Sequence, residues 1–283
     1  MFLQRLSSIS LFVGLVVLMS SCANQFSHVQ PQAQINSTRV QNLSFDSITL
    51  GVVLDITNPN NFSIPLGNLD LGLLIDGNQI AQAQATQGQN LAARQKTQIE
   101  VPVQLPYSSL FSLATGFRNS NQFDFELAGS LGIPVPVIGD VVLPLSYQGS
   151  APIPQPPRLS ISDLVLTDIG ITRSSMDLFL QIDNPNLFPI NLSGMALDLK
   201  ANDRSLINAA TVEGANLAAG QSNTVRVPLS FSTANAGLSL YQSILSSNAI
   251  QWQVEGQGDL SGDFGLNQEG FDFSFNELLS AFR

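Results

Sequence analysis

From Leu50 to Ile56 apolar side chains fall at every second residue, Leu50, Val52, Leu54 and Ile56, with Gly51, Val53 and Asp55 between them. A period of two puts one face of an extended chain in a core and the other toward water, so the stretch predicts a half-buried strand. Leu69, Leu71, Leu73 and Ile75 repeat the pattern before a turn signal, DGN, at 76–78. Ile99, Val101, Val103 and Leu105 form another such run, and FDFELAG at 123–129 another. One segment departs from the alternation. SSLFSLATGF at 108–117 places Leu110, Leu113, Ala114 and Phe117 at helical spacing, which predicts a short helix.

The whole pattern occurs twice. DITNPNNFSIPL at 55–66 returns as QIDNPNLFPINL at 181–192, and 184 − 58 = 126 sets the offset. NLAARQKTQIEVPV at 90–103 falls on NLAAGQSNTVRVPL at 216–229 with that same offset, sharing seven of fourteen positions. Met176, Leu178, Leu180 and Ile182 then match the first strand, and Val225, Val227, Leu229 and Phe231 a later one. IQWQVEG at 250–256 echoes FDFELAG, and ANAGLSLYQSIL at 234–245 echoes the helical segment. A period this long means two whole domains, not a solenoid of small units. We place them at 39–148 and 159–283, joined by a proline-rich linker, GSAPIPQPPR, at 149–158. About seven short strands in each copy predict an all-β fold of two tandem β-sandwiches, each closed at one end by a short helix.

Within each copy the phrase Asn-Pro-Asn interrupts a strand. Asn58, Pro59, Asn60 and Phe62 correspond to Asn184, Pro185, Asn186 and Phe188. Proline holds the preceding asparagine extended, and asparagine carboxamides bond back to nearby backbone, so the motif reads as a structural corner between strands. A binding loop is the alternative, since carboxamides offer both donors and acceptors.

The first residues follow different rules. MFLQRLSSISLFVGLVVLMSSC carries Arg5, an apolar run from Leu11 to Met19, and two serines before Cys22, which reads as an export signal over 1–21. The run is shorter than the roughly 20 apolar residues a membrane-spanning helix needs. LMSSC resembles the lipobox of bacterial lipoproteins, and this resemblance implies cleavage before a lipid-modified Cys22. Several acyl chains hold a protein stably on a bilayer where one would be marginal. Ala23 stands where an aspartate would imply retention at the inner membrane. The resemblance therefore implies a cell-envelope protein on the outer membrane, facing the periplasm or the exterior if the host is Gram-negative. Residues 22–38 lack charge until the first repeat and are expected to be a polar tether, with His28 inside it as a mobile polar residue.

Composition narrows the chemistry. Eleven Lys and Arg against twenty-one Asp and Glu give a net charge of −10, which disfavours nucleic acid and anionic membrane surfaces as partners of the chain as a whole. One cysteine and one histidine, both near the start, exclude a zinc site or a Ser/His/Asp or Cys/His centre in the folded part. Asp259, Asp263, Glu269 and Asp272 cluster among glycines, but a calcium loop counted from Asp259 would need glycine at Phe264 and glutamate at Gly270. Asp177 and Asp183 are expected on solvated strand faces, not as a hydrolytic pair. No metal, cofactor or catalytic residue is expected.

With strand, NPN, apolar alternation and the later LAA…VPV strand in both copies, the chain resembles the late embryogenesis abundant type 2 domain, also called the water stress and hypersensitive response domain. The resemblance implies fibronectin- or immunoglobulin-like sandwiches and an association with desiccation and other stress. It leads us to expect a non-enzymatic, lipid-anchored protein whose partners are the membrane and client proteins. The alternative is an envelope binding module that grips a protein, glycan or lipid through paired sandwiches.

Overall fold

The computed structural model describes residues 30–84, 89–136, 139–234, 242–243, 246 and 249–280. The expected export signal, Cys22 and His28 lie outside these residues, as does most of the helix expected at 234–245.

Alternation becomes sheet in both repeats. In the first, β1 (Gln32–Leu43), β2 (Ser47–Thr57) and β7 (Lys96–Pro106) form a three-stranded sheet in the order β1-β2-β7. A second sheet takes the order β5-β4-β8-β9 from β4 (Leu69–Ile75), β5 (Asn78–Gln84), β8 (Gln122–Val135) and β9 (Gly139–Pro152). Two short strands, β3 (Ile64–Pro65) and β6 (Asn90–Leu91), pair beside the NPN motif. The core is built from the inward positions of both sheets. Ile48, Leu50, Val52 and Leu54 on β2 and Leu71, Leu73, Leu127 and Leu131 opposite are each no more than 2% exposed. Full burial of one such side chain contributes about 1.5–3 kcal/mol.

The second repeat follows the same plan. Strands β10 (Arg158–Ile169), β11 (Arg173–Asp183) and β15 (Ser222–Ser232) make the three-stranded sheet. Its partner sheet has the order β13-β12-β16-β17, from β12 (Ile190–Ala201), β13 (Arg204–Thr211), β16 (Ala249–Gly262) and β17 (Asn267–Ser280), with β14 (Ala215–Leu217) also paired to β12. Ile190 pairs Leu217 as Ile64 pairs Leu91, so the offset of 126 extends to strand register. The fold is all-β with tandem sandwich domains.

Three boundaries differ from the sequence expectation. The tether ends early, because Gln32 to Thr38 belong to β1 and Pro31 is already buried. Backbone pairing along β2 outweighs the polarity of these side chains, which lie at a sheet edge where polar groups meet water. The linker shortens to 153–157, since Gly149 to Pro152 complete β9 and Arg158 opens β10. The first helix, α1 (Tyr107–Leu113), stops short of Phe117, because Ala114 turns extended at φ −155° and a 3-10 turn follows at Thr115–Asn119. Its buried face is Tyr107 and Leu110, while Leu113 is 38% exposed.

The described residues divide into two compact units. One takes those of Met1–Val40, Thr49–Leu105 and Asp124–Ser150, the other those of Gln41–Ile48, Pro106–Phe123 and Ala151–Arg283. Hydrogen bonds within the second unit explain why α1 and the linker belong together. The Tyr107 hydroxyl donates to the Pro152 carbonyl at 2.7 Å, the Ile153 N–H to Asn121 O at 2.9 Å, and Gln155 Nε2 to Ser120 O at 2.9 Å.

Candidate functional site

The NPN motif is the most chemically dense feature of each repeat, and its geometry follows from chain direction. Strand β2 ends at Thr57, and the Asn58 backbone N–H still donates to Gln95 O at 2.9 Å. Pro59 has no N–H to continue the ladder, so the chain leaves the sheet there. The side chain of Asn58 takes over the bonding. Its Nδ2 donates to the carbonyls of Phe62 at 2.9 Å, Leu91 at 3.1 Å and Ala92 at 3.2 Å. Its Oδ1 accepts from Asn60 N at 3.0 Å and Asn60 Nδ2 at 3.1 Å. Asn58 is 0% exposed, so nothing of it is offered to a ligand.

The second corner repeats this arrangement bond for bond. Asn184 Nδ2 donates to Phe188 O at 2.9 Å, Leu217 O at 3.2 Å and Ala218 O at 3.0 Å. Its Oδ1 accepts from Asn186 N at 3.0 Å and Nδ2 at 2.9 Å. Asn186 then adds contacts of its own. Its Oδ1 accepts from Gln155 N at 2.7 Å and its Nδ2 donates to Gln155 O at 2.8 Å, so one carboxamide grips both backbone groups of a linker residue. The Pro185 carbonyl accepts from Asn121 Nδ2 at 3.3 Å. Phe188 is 4% exposed and meets Phe264 edge to face at 6.2 Å, whereas Phe62 is half-buried.

Sequence reasoning named the asparagines but not what they hold. The acceptor carbonyls of Leu91, Ala92, Leu217 and Ala218 lie 33 and 34 residues along the chain. The signal was present as the repeated NLAA, read only as the start of a strand. A further N–H closes each corner, from Arg94 to Asn60 O at 2.8 Å and from Gly220 to Asn186 O at 3.0 Å.

Several carboxylates are accounted for by pairing. Asp177, expected on a solvated face, is 7% exposed and pairs with Arg226 at 2.7 Å. Asp55 is likewise buried beside Lys96 Nζ at 2.7 Å, with Gln98 Nε2 donating at 3.0 Å. The bond from Lys96 and then that from Gln98 hold its carboxyl below the ordinary range. Asp183 is lowered by hydrogen bonds from Ser222 and then Gln181. Asp259 accepts the Gly270 N–H at 3.1 Å between β16 and β17. Two shallow grooves cross the sheets, one lined by Asp198, Glu255, Gln257 and Asp272, the other by Asp76, Asp124, Glu126 and Gln148. They fall at different places in the repeat, since Gly256 lines the first and Phe125, aligned with Trp252, lines the second.

The profile of late embryogenesis abundant proteins matches residues 53–149 and again 179–271. Each match contains one NPN corner with its saturated first asparagine. The chain belongs to the late embryogenesis abundant type 2 family. Among curated relatives, it is similar to the probable desiccation-related protein LEA14 of Arabidopsis thaliana, 28% identical over 44% of this chain and 83% of that protein. It is also similar to the desiccation protectant protein Lea14 homolog of Glycine max, 30% identical over 44% of this chain and 82% of that protein. A solution structure from Arabidopsis thaliana matches at 27% identity and a TM-score of 0.38, covering 44% of this chain and 82% of that one. One plant-type LEA domain thus corresponds to less than half of this chain, which carries the domain twice.

Proposed function

We propose that this tandem LEA type 2 protein is a non-enzymatic, lipid-anchored envelope protein that protects neighbouring proteins or membrane during drying, freezing or osmotic shock. The observation that carries this reading is the family match in both repeats, to relatives described as desiccation-related. The chemistry of the site agrees with it. The carboxamides of Asn58 and Asn184 are consumed inside the fold, so the polar cluster repeated in both domains builds a corner and has no free carboxamide to offer. Protection then falls to the surface. A net charge of −10 with abundant neutral hydrogen-bonding side chains keeps the protein hydrated and discourages association as water is withdrawn.

Anchoring is read from LMSSC, with Cys22 as the acylated first residue of an outer-membrane lipoprotein, and each repeat is read as a water stress and hypersensitive response domain. Two measurements test the reading. The purified protein should preserve a freeze-sensitive enzyme through repeated freezing and thawing at sub-stoichiometric to equimolar ratio, and deletion of its gene should lower survival after desiccation. No protection in either assay overturns the proposal. Intact mass of the mature protein should show an acylated Cys22; an unmodified start removes the membrane part alone.

A further inference from the structure

The two corners differ at the residue that closes them. Both Gly220 and Arg94 take a left-handed backbone, at φ +65° and +54°. Glycine adopts that conformation without steric cost, whereas a side chain brings Cβ against the following carbonyl. A non-glycine residue held there is an outlier that points to a role for its side chain. Arg94 is exposed, and among the described residues its guanidinium meets no carboxylate. Two residues on, Lys96 is 59% exposed while touching Asp55. The second repeat has Gly220 and Ser222 at these positions, so a pair of cations distinguishes one corner in an acidic chain. Thr57, Pro59, Asn61 and Ser63 beside them are exposed and uncharged.

The chain enters the first repeat at this same end. Strands β1 and β2 form a hairpin through the turn at 44–46, closed by the Ser44 N–H to Ser47 O at 2.9 Å, so the start of β1 and the end of β2 lie at the same end of the pair. Only nine peptide links separate Cys22 from the buried Pro31, since 31 − 22 = 9. A coil of that length averages about 15–18 Å end to end. An acylated Cys22 would therefore bring this end of the first repeat to the headgroups.

We propose that the NPN end of the first repeat is a membrane-facing surface on which Arg94, assisted by Lys96, engages the phosphates of anionic lipid headgroups. The proposal rests on the anchored reading above and adds an orientation to it. Cations at the base are drawn to the bilayer while the net negative charge of the chain is repelled from it. A single arginine near an anionic surface changes partitioning by about fivefold, and salt weakens the effect.

The experiment uses the chain from residue 22 with Cys22→Ala, so that no acyl chain contributes, and vesicles of phosphatidylcholine with or without phosphatidylglycerol at low salt. The parent should co-sediment more with the anionic vesicles. Arg94→Gly should lose about fivefold in partitioning while keeping or raising the melting temperature, because the second repeat already uses glycine there. Arg204→Gly, an exposed cation at the β12–β13 turn, should bind as the parent does. Equal binding by parent and Arg94→Gly, equal losses in the two variants, or no preference for phosphatidylglycerol would each overturn the proposal. Failure of the anchor is read separately from the intact mass, which leaves the vesicle result standing.

Discussion

The two NPN corners are the same object built under different demands. Asn58 and Asn184 make the same bonds to carbonyls 4, 33 and 34 residues ahead, at distances that agree within 0.2 Å. What differs lies one step outward. The second corner is closed by Gly220 and holds the linker through Asn186; the first is closed by Arg94 in a conformation that disfavours it. The carboxamides of Asn58 and Asn184 have their donors and acceptors engaged inside the fold, whereas the exposed closing residue is free to take on a separate task.

The largest expected effect tests the shared part. Asn58→Ala and Asn184→Ala each strand several buried backbone groups, and each should cost about 3 kcal/mol or more of stability. Urea unfolding followed by circular dichroism checks both. The single Trp252, buried in the second repeat, gives a fluorescence signal specific to that repeat for Asn184→Ala. A cost below about 1 kcal/mol for Asn58→Ala alone would break the equivalence of the corners.

Next in size is Asn186→Ala, which removes the two-point grip on Gln155 and should cost about 2 kcal/mol in the same assay. Exchange of the closing residues should then move stability by about 1 kcal/mol in opposite senses, upward for Arg94→Gly and downward for Gly220→Arg. Thermal melts resolve this, and a loss of stability in Arg94→Gly would mean that the arginine side chain supports the corner.

The smallest effect separates the repeats by pH. Asp55 is held below its unfolded value of about 3.9 by Lys96 and Gln98, so the folded state binds fewer protons between the two values. Its contribution to stability is present above about pH 4 and is lost as pH falls through the folded value. The second repeat has Gln181 and Ser222 at the positions of Asp55 and Lys96. Asp55→Asn should therefore flatten the acid side of the stability profile, and an unchanged profile would show that the pair makes no contribution.

Much of this was legible in the residues. Alternating Leu, Val and Ile gave the strands of both repeats because one buried face imposes a period of two, and the offset of 126 gave the two domains. The helix was placed within a residue at its start and overrun at its end, since spacing alone does not reveal that Ala114 turns extended. The uncharged, aperiodic residues of 22–38 suggest a tether, yet the chain is a strand from Gln32, because an edge strand with backbone bonds on one side needs no apolar alternation. The alternation around Asp177 suggests solvated surface, since the sequence does not show Arg226 arriving 49 residues later across the sheet.

By itself the sequence determined the family, the repeat and the identity of the corner asparagines, because these depend on local pattern and on comparison of the chain with itself. Only the tertiary structure decided that Asn58 and Asn184 are fully spent on backbone carbonyls, that Asn186 also holds the linker, and that Arg94 stands where glycine would fit. Hydrogen-bond partners 33 residues apart and the sign of φ are set by how strands pack, and neither is written in the local order of residues.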